Sequence, residues 1–118
     1  MRVFEEIKPA VKIYCEDEEL ARPFLKKVCD GLEEEGVPFE IEVRQGEDPE
    51  HMAVSAARDS RVNIGIFLGK DGICVLTHSK MPANMPVMKI YPELEAADGY
   101  RTLGTNAARL AKNMPLKF

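Results

Sequence analysis

The apolar positions of this chain change period several times, and each change predicts an element boundary. Ala10–Cys15 is dense in strand-forming side chains and predicts a first strand, preceded by a short arm over 1–9 that ends at Pro9. Glu16-Asp17-Glu18-Glu19 then opens a helix, because carboxylates suit the positive end of its dipole and Asp17 can cap it. Leu20, Ala21, Phe24, Leu25, Val28, Cys29 and Leu32 recur at helical spacing and give that helix one apolar face. Pro23 requires the helix to start close by, and Gly36 closes it.

Pro38–Val43 alternates apolar and acidic residues, so it predicts a strand with one solvated face, at a sheet edge or partly covered. Asp48-Pro49-Glu50 starts a second, alanine-rich helix that runs to Ser60, with aspartate as cap and proline at the first helical position. Val62–Leu68 is mostly apolar and predicts a buried central strand. Gly69-Lys70-Asp71-Gly72 is a tight turn followed at once by Ile73–Thr77, and strands joined this closely must be antiparallel. A methionine- and proline-bearing loop over His78–Pro86 leads to a last strand, Val87–Tyr91. A final helix falls between Gly99 and Asn113, and Pro115 breaks it. With right-handed crossovers, this order predicts a mixed sheet with helices on its faces, a three-layer α/β domain.

Composition and charge narrow the function classes. The 118 residues suit one domain, 1–118, that can bury a core without disulfides or metal. Hydrophobic residues make up 45% and charged ones 31%, which argues against disorder. The net charge of −4 hides a split: residues 1–50 carry 15 acidic and 7 basic side chains, residues 51–118 carry 5 and 9. A nucleic-acid binder should show a dominant basic footprint, and this chain has none. No apolar run approaches the roughly 18–20 residues of a membrane span. Met1–Glu6 lacks the apolar stretch of a secretory signal, so the expected location is cytoplasmic. Cys15, Cys29 and Cys74 form no CxxC pair and lie in apolar elements, which predicts reduced, buried thiols; a catalytic cysteine would lack a suitably placed histidine.

Familiar catalytic patterns are missing. Gly69–Gly72 joins two strands, not a strand and a helix, so it is a turn and not a phosphate cradle. A phospho-receiver reading begins with Glu16-Asp17 after the first strand. It fails at Leu68-Gly69-Lys70, where no aspartate acceptor stands. His51 and His78 form no zinc pattern with the cysteines and are expected in a loop or on a helix surface.

One feature is physically odd. Glu33-Glu34-Glu35 occupies the last turn of the first long helix, where the dipole disfavours each exposed carboxylate by about 0.3–1 kcal/mol. Either that end is simply solvated, or a cation relieves it: a divalent metal with oxygen ligands, or Arg or Lys of a partner. At about 100° per residue, Glu33 and Glu34 point away from the apolar stripe, while Glu35 lies near its edge. Glu33 and Glu34 are then the ones free to reach another chain. The loop Lys80–Met88 reads as core-capping methionines or as an adaptable contact surface. From Gly99 onward the only charges are basic. A solvated basic face is the default for them, with Ala107, Ala108 and Ala111 packing on the sheet.

Several stretches match a known family: Gly31-Leu32-Glu33-Glu34-Glu35-Gly36-Val37-Pro38-Phe39, Ala56-Ala57-Arg58-Asp59-Ser60, Asn63-Ile64-Gly65-Ile66 and Met81-Pro82-Ala83-Asn84-Met85-Pro86. The most specific is Gly104-Thr105-Asn106-Ala107-Ala108-Arg109-Leu110 with Lys112 and Pro115. Over Val11–Phe118 the chain resembles the small subunits of the reactivating factors of adenosylcobalamin-dependent diol and glycerol dehydratases. The resemblance implies a three-layer α/β/α sandwich with a mixed five-stranded sheet, order 2-1-3-4-5, strand 4 antiparallel. It implies a chaperone-like subunit with no catalytic site and no cofactor of its own. The partner would be a large subunit that carries the ATPase. By leaving it, the small subunit would let the dehydratase dock, release damaged cobalamin and take intact coenzyme. It also implies that Glu34 helps bind a divalent metal, magnesium, at the interface with the large subunit.

The arm over 1–9 and Glu16–Glu19 carry no implied role. The alternatives are a dehydratase medium-subunit-like component near cobalamin, and an unrelated small α/β ligand-binding module. An orphan interface of this kind can also pair with itself in the isolated chain. The location is free cytosol or a bacterial microcompartment.

Overall fold

Residues 9–92 and 98–117 are described by the computed structural model, so the arm expected over 1–9 lies outside the described residues except for Pro9. In chain order they form β1 (Val11–Cys15), α1 (Glu18–Glu34), β2 (Phe39–Val43), α2 (Pro49–Asp59), β3 (Ile64–Leu68), β4 (Cys74–His78), β5 (Met88–Ile90) and α3 (Asp98–Ala111). Both expected caps form. The Asp17 carboxylate accepts bonds from the Glu19 and Leu20 N–H groups at 3.0 Å, and Asp48 accepts one from Glu50 at 3.0 Å.

The sheet order is β2-β1-β3-β4-β5. β1 runs parallel to β2 and β3, while β4 is antiparallel to both its neighbours. The turn expected at Gly69–Gly72 is closed by the Gly69 N–H on the Ile73 carbonyl (2.8 Å) and the Gly72 N–H on the Gly69 carbonyl (3.0 Å). Side chains alternate across the strands and so build two cores. Val11, Ile13, Cys15, Ile64, Ile66, Leu68, Cys74 and Leu76 face α1 and α3. Tyr14, Phe67 and Val75 face Ala53 and Ala56 of α2. The three layers follow from that division.

Several boundaries differ from expectation for local reasons. β3 begins at Ile64 rather than Val62 because Asn63 takes φ 63 and its N–H bonds back to the Ser60 carbonyl. The buried Ser60 hydroxyl stabilises this turn, donating to the Ala10 carbonyl (2.7 Å) and accepting from the Val62 N–H (3.1 Å). β4 begins after Ile73 because the Ile73 carbonyl belongs to the turn. Pro23 sits in the second turn of α1, deeper than a helix-start proline. At the sheet edge, Ile41 and Val43 of β2 are 41% and 51% exposed, so the apolar side of that strand is largely uncovered.

α1 and α3 lie side by side and run in the same direction. Phe24 packs on Tyr100 with ring centroids 4.9 Å apart, Val28 faces Gly104, and Gly31 faces Thr105. The backbones nearly touch: a Cβ on Gly104 would lie 2.0 Å from the Val28 carbonyl oxygen, and one on Gly31 2.3 Å from that of Arg101. The Ala107 and Ala108 side chains join the same core.

The cysteines behave as expected of buried thiols. Cys15 and Cys74 are fully buried, Cys29 is half-buried, and none is in a disulfide. Burial pushes the Cys29 thiol up to about 11, helped by the charge of Glu33, and raises Cys15 and Cys74 as well. A thiolate-selective reagent at pH 8 will therefore label the native protein slowly and all three cysteines after denaturation. Rapid native labelling by mass spectrometry would contradict this.

Candidate functional site

In an open α/β sheet, ligands sit beyond the carboxyl ends of the strands where the strand order reverses. Here that place lies between β1 and β3, and Glu16 bridges it. The Glu16 N–H donates to the Leu68 carbonyl (2.9 Å), and the Glu16 carboxylate accepts from the Lys70 N–H (2.9 Å). Glu16 is thus a stitch between β1 and the β3–β4 turn.

The acidic end of α1 is built differently. Gly36 takes φ 73 and closes the helix in a Schellman motif, with the Gly36 N–H on the Glu33 carbonyl (3.0 Å) and the Val37 N–H on the Leu32 carbonyl (3.2 Å). This fixes where each glutamate points. Glu35 turns toward α3, where the Lys112 ammonium donates to its carboxylate (3.0 Å) and to its backbone carbonyl (2.9 Å). Arg109 stands 3.7 Å away. Glu34 turns outward, about half exposed, and its two oxygens meet the Arg101 guanidinium through Nε (3.2 Å) and Nη2. Glu33 is exposed and has no ion-pair partner among the described residues.

The cation that relieves the helix end therefore comes first from this chain's own α3. The basic charges after Gly99, read from sequence as a solvated face, include Arg101, Arg109 and Lys112, and all three meet the acidic end of α1.

The Lys112 ammonium holds the Glu35 carboxyl below the usual carboxylate range, with Arg109 assisting. A carboxyl depressed in the folded state stabilises fully above its unfolded pKa, and that stability is lost as pH falls through the depressed value. Glu35→Gln should flatten the acid-side decline of Tm. Parallel melts from pH 7 down to pH 3 that fall with the same slope for both proteins would refute the assignment.

Two cavities flank this end. A groove of about 610 Å³ is lined by Glu33, Val37, Phe39 and their neighbours. A polar cavity of about 250 Å³ is lined by Glu34, Asp98, Arg101, Thr102, Thr105 and Lys117. Carboxylate and hydroxyl oxygens suit a hard cation such as magnesium. Among the described residues no group of three or more His, Cys, Asp or Glu side chains could hold a metal. Asp98, Arg101 and Lys117, which line the same cavity as Glu34, carry no local signal that sets them beside it.

The remaining sequence candidates separate. Met88 opens β5 and packs against the core, whereas Met85 of the preceding loop is 59% exposed. His51 is exposed on α2 with Nδ1 2.6 Å from Asp48, and His78 ends β4 with its ring accepting the Lys80 N–H at 3.1 Å.

A profile of the dehydratase medium subunit family matches residues 8–117. The chain belongs to that family. Within it, the chain is 30% identical over 92 residues to the diol dehydratase-reactivating factor small subunit of Klebsiella michiganensis, covering 78% of this chain and 72% of the relative. It is 32% identical over 87 residues to the propanediol dehydratase-reactivating factor small subunit of Salmonella typhimurium, covering 74% and 73%. A solved glycerol dehydratase reactivase chain superposes with a TM-score of 0.86 at 33% identity, covering 94% of this chain and 98% of that one. A diol dehydratase-reactivating factor solved with ADP and Mg2+ superposes with a TM-score of 0.78 at 26% identity, covering 96% and 100%. The sheet order 2-1-3-4-5 and antiparallel fourth strand that the resemblance implied are those of the fold described above. Among the described residues no helix is long and apolar enough to cross a membrane.

Proposed function

We propose that this chain is the non-catalytic small subunit of a dehydratase-reactivating factor, and that the acidic end of α1 is where it meets the large subunit. The observation that carries the reading is the match to reactivating-factor small subunits over most of both chains, with the acidic helix end displayed beside a polar cavity. The ATPase belongs to the large subunit. This subunit works by binding it and then leaving, which opens a surface for the dehydratase and lets damaged cobalamin go. Glu34, with Asp98 lining the same cavity, would hold magnesium jointly with groups of the large subunit, where the metal would neutralise the charge of both surfaces. Three free thiols suit a reducing compartment, the cytosol or a microcompartment within it.

A second reading, a dehydratase component beside cobalamin, draws on the family description itself. One experiment separates them. The purified chain, its large subunit, ATP and magnesium are added to inactivated holo-dehydratase with fresh adenosylcobalamin. Restored turnover is the expected result. Restored activity only in a dehydratase lacking its medium subunit would favour the second reading, and no effect in either assay would overturn both.

A further inference from the structure

α3 ends in a reversal. Asn113 takes φ 57, a left-handed conformation that asparagine tolerates better than most side chains. The Asn113 and Met114 N–H groups bond back to the Leu110 and Arg109 carbonyls at 3.2 and 2.8 Å, and Pro115 prevents another helical turn. The chain then doubles back along α3 and is pinned at one position. The side-chain amide of Asn106 accepts a bond from the Lys117 N–H and donates one to the Lys117 carbonyl, both at 2.6 Å.

Asn106 is fully buried. A buried amide left without partners is costly, and asparagine is a weak helix former, so its place inside α3 asks for a physical reason. Among the described residues its amide has one further neighbour, the Met88 sulfur at 3.6 Å, which is a weak acceptor. The backbone of Lys117 is therefore what satisfies it. The pairing is to the main chain, so it fixes where the segment lies whatever side chains the segment carries.

That location matters because Lys117 lines the same cavity as Glu34 and Arg101. Met114, earlier in the segment, is 43% exposed. A partner that reaches Glu34 meets Lys117 as well. We infer that Asn106 is a positioning residue of the large-subunit interface, its buried amide holding the backbone at Lys117 where that residue lines the Glu34 cavity. The inference rests on the reading that the Glu34 face meets the large subunit.

Lys117→Pro removes the backbone N–H that Asn106 holds and changes no core side chain, whereas Lys117→Ala keeps that N–H. Affinity of the full chain for the purified large subunit is measured in magnesium. Lys117→Pro should weaken it about tenfold, and Lys117→Ala, which loses the side chain in the cavity but keeps the pinned backbone, clearly less. Asn106→Leu should match Lys117→Pro, and the two together should be no weaker than either alone. If Asn106→Leu does not fold, the proline–alanine contrast still decides. Wild-type affinity for Lys117→Pro would overturn the inference, as would equal losses for Lys117→Pro and Lys117→Ala. Glu34→Gln is measured alongside: a loss there without one in Lys117→Pro sinks the inference alone, and no loss in either sinks the interface reading with it.

Discussion

Gly104→Ala is expected to destabilise the protein by about 3 kcal/mol or more, at the upper end of what overpacking costs. A single added methyl would lie 2.0 Å from the Val28 carbonyl oxygen and 2.9 Å from the Val28 carbonyl carbon. Both are backbone atoms of a helix, so no side-chain rotation can make room. α1 and α3 would have to separate along their whole contact, loosening Phe24 from Tyr100 and the acidic end of α1 from Arg101 and Lys112. Gly36→Ala is the informative control. Nothing lies within 4 Å of a Cβ there, so its cost is only the left-handed φ of 73, about 1–2 kcal/mol. Urea melts of the two variants should therefore differ clearly in midpoint. Equal midpoints would mean that the helices can adjust and that the glycine contact is not what sets their spacing.

The sequence carried the elements well because most of their signals are local. The Asp17 and Asp48 caps, the Gly36 stop and the Gly69–Gly72 hairpin each depend on neighbours a few residues away, and each is where its pattern placed it. Asn63 is the exception among boundaries: a left-handed residue inside an apolar run leaves the periodicity unchanged while ending the strand. The local pattern led to a mixed sheet, and the order of strands came from the family resemblance. The site was half legible. Three glutamates at a helix end are visible from dipole physics alone. Their cations are 67 and 77 residues away in Arg101 and Lys112, and no spacing rule says which helix will lie beside which. The contact that brings them together is the close approach of α1 and α3 at Gly31 and Gly104; both glycines open stretches that carry the family resemblance, yet no local pattern says that they face each other.

Glu34→Gln is the second large effect, and it should appear in binding and not in stability. The carboxylate is about half exposed and paired with Arg101, and an exposed pair of this kind contributes at most about 1 kcal/mol. Tm should therefore barely move. Glutamine keeps the shape and one oxygen but loses the charge that, on the proposed reading, would draw a divalent cation. Affinity for the large subunit in magnesium should fall at least tenfold, the range seen when even the supporting partners of metal ligands are lost. With a chelator present, wild type and variant should bind alike. Arg101 sharpens the test because it competes for the same two oxygens. Arg101→Met frees them, so the magnesium concentration needed for half-maximal binding should drop, and Glu34→Gln should abolish that gain in the double variant. If the arginine instead held Glu34 in place for the metal, Arg101→Met would raise the magnesium requirement. If affinity ignored magnesium in every variant, the Glu34–Arg101 pair would be a strut between α1 and α3 and the metal assignment would fall.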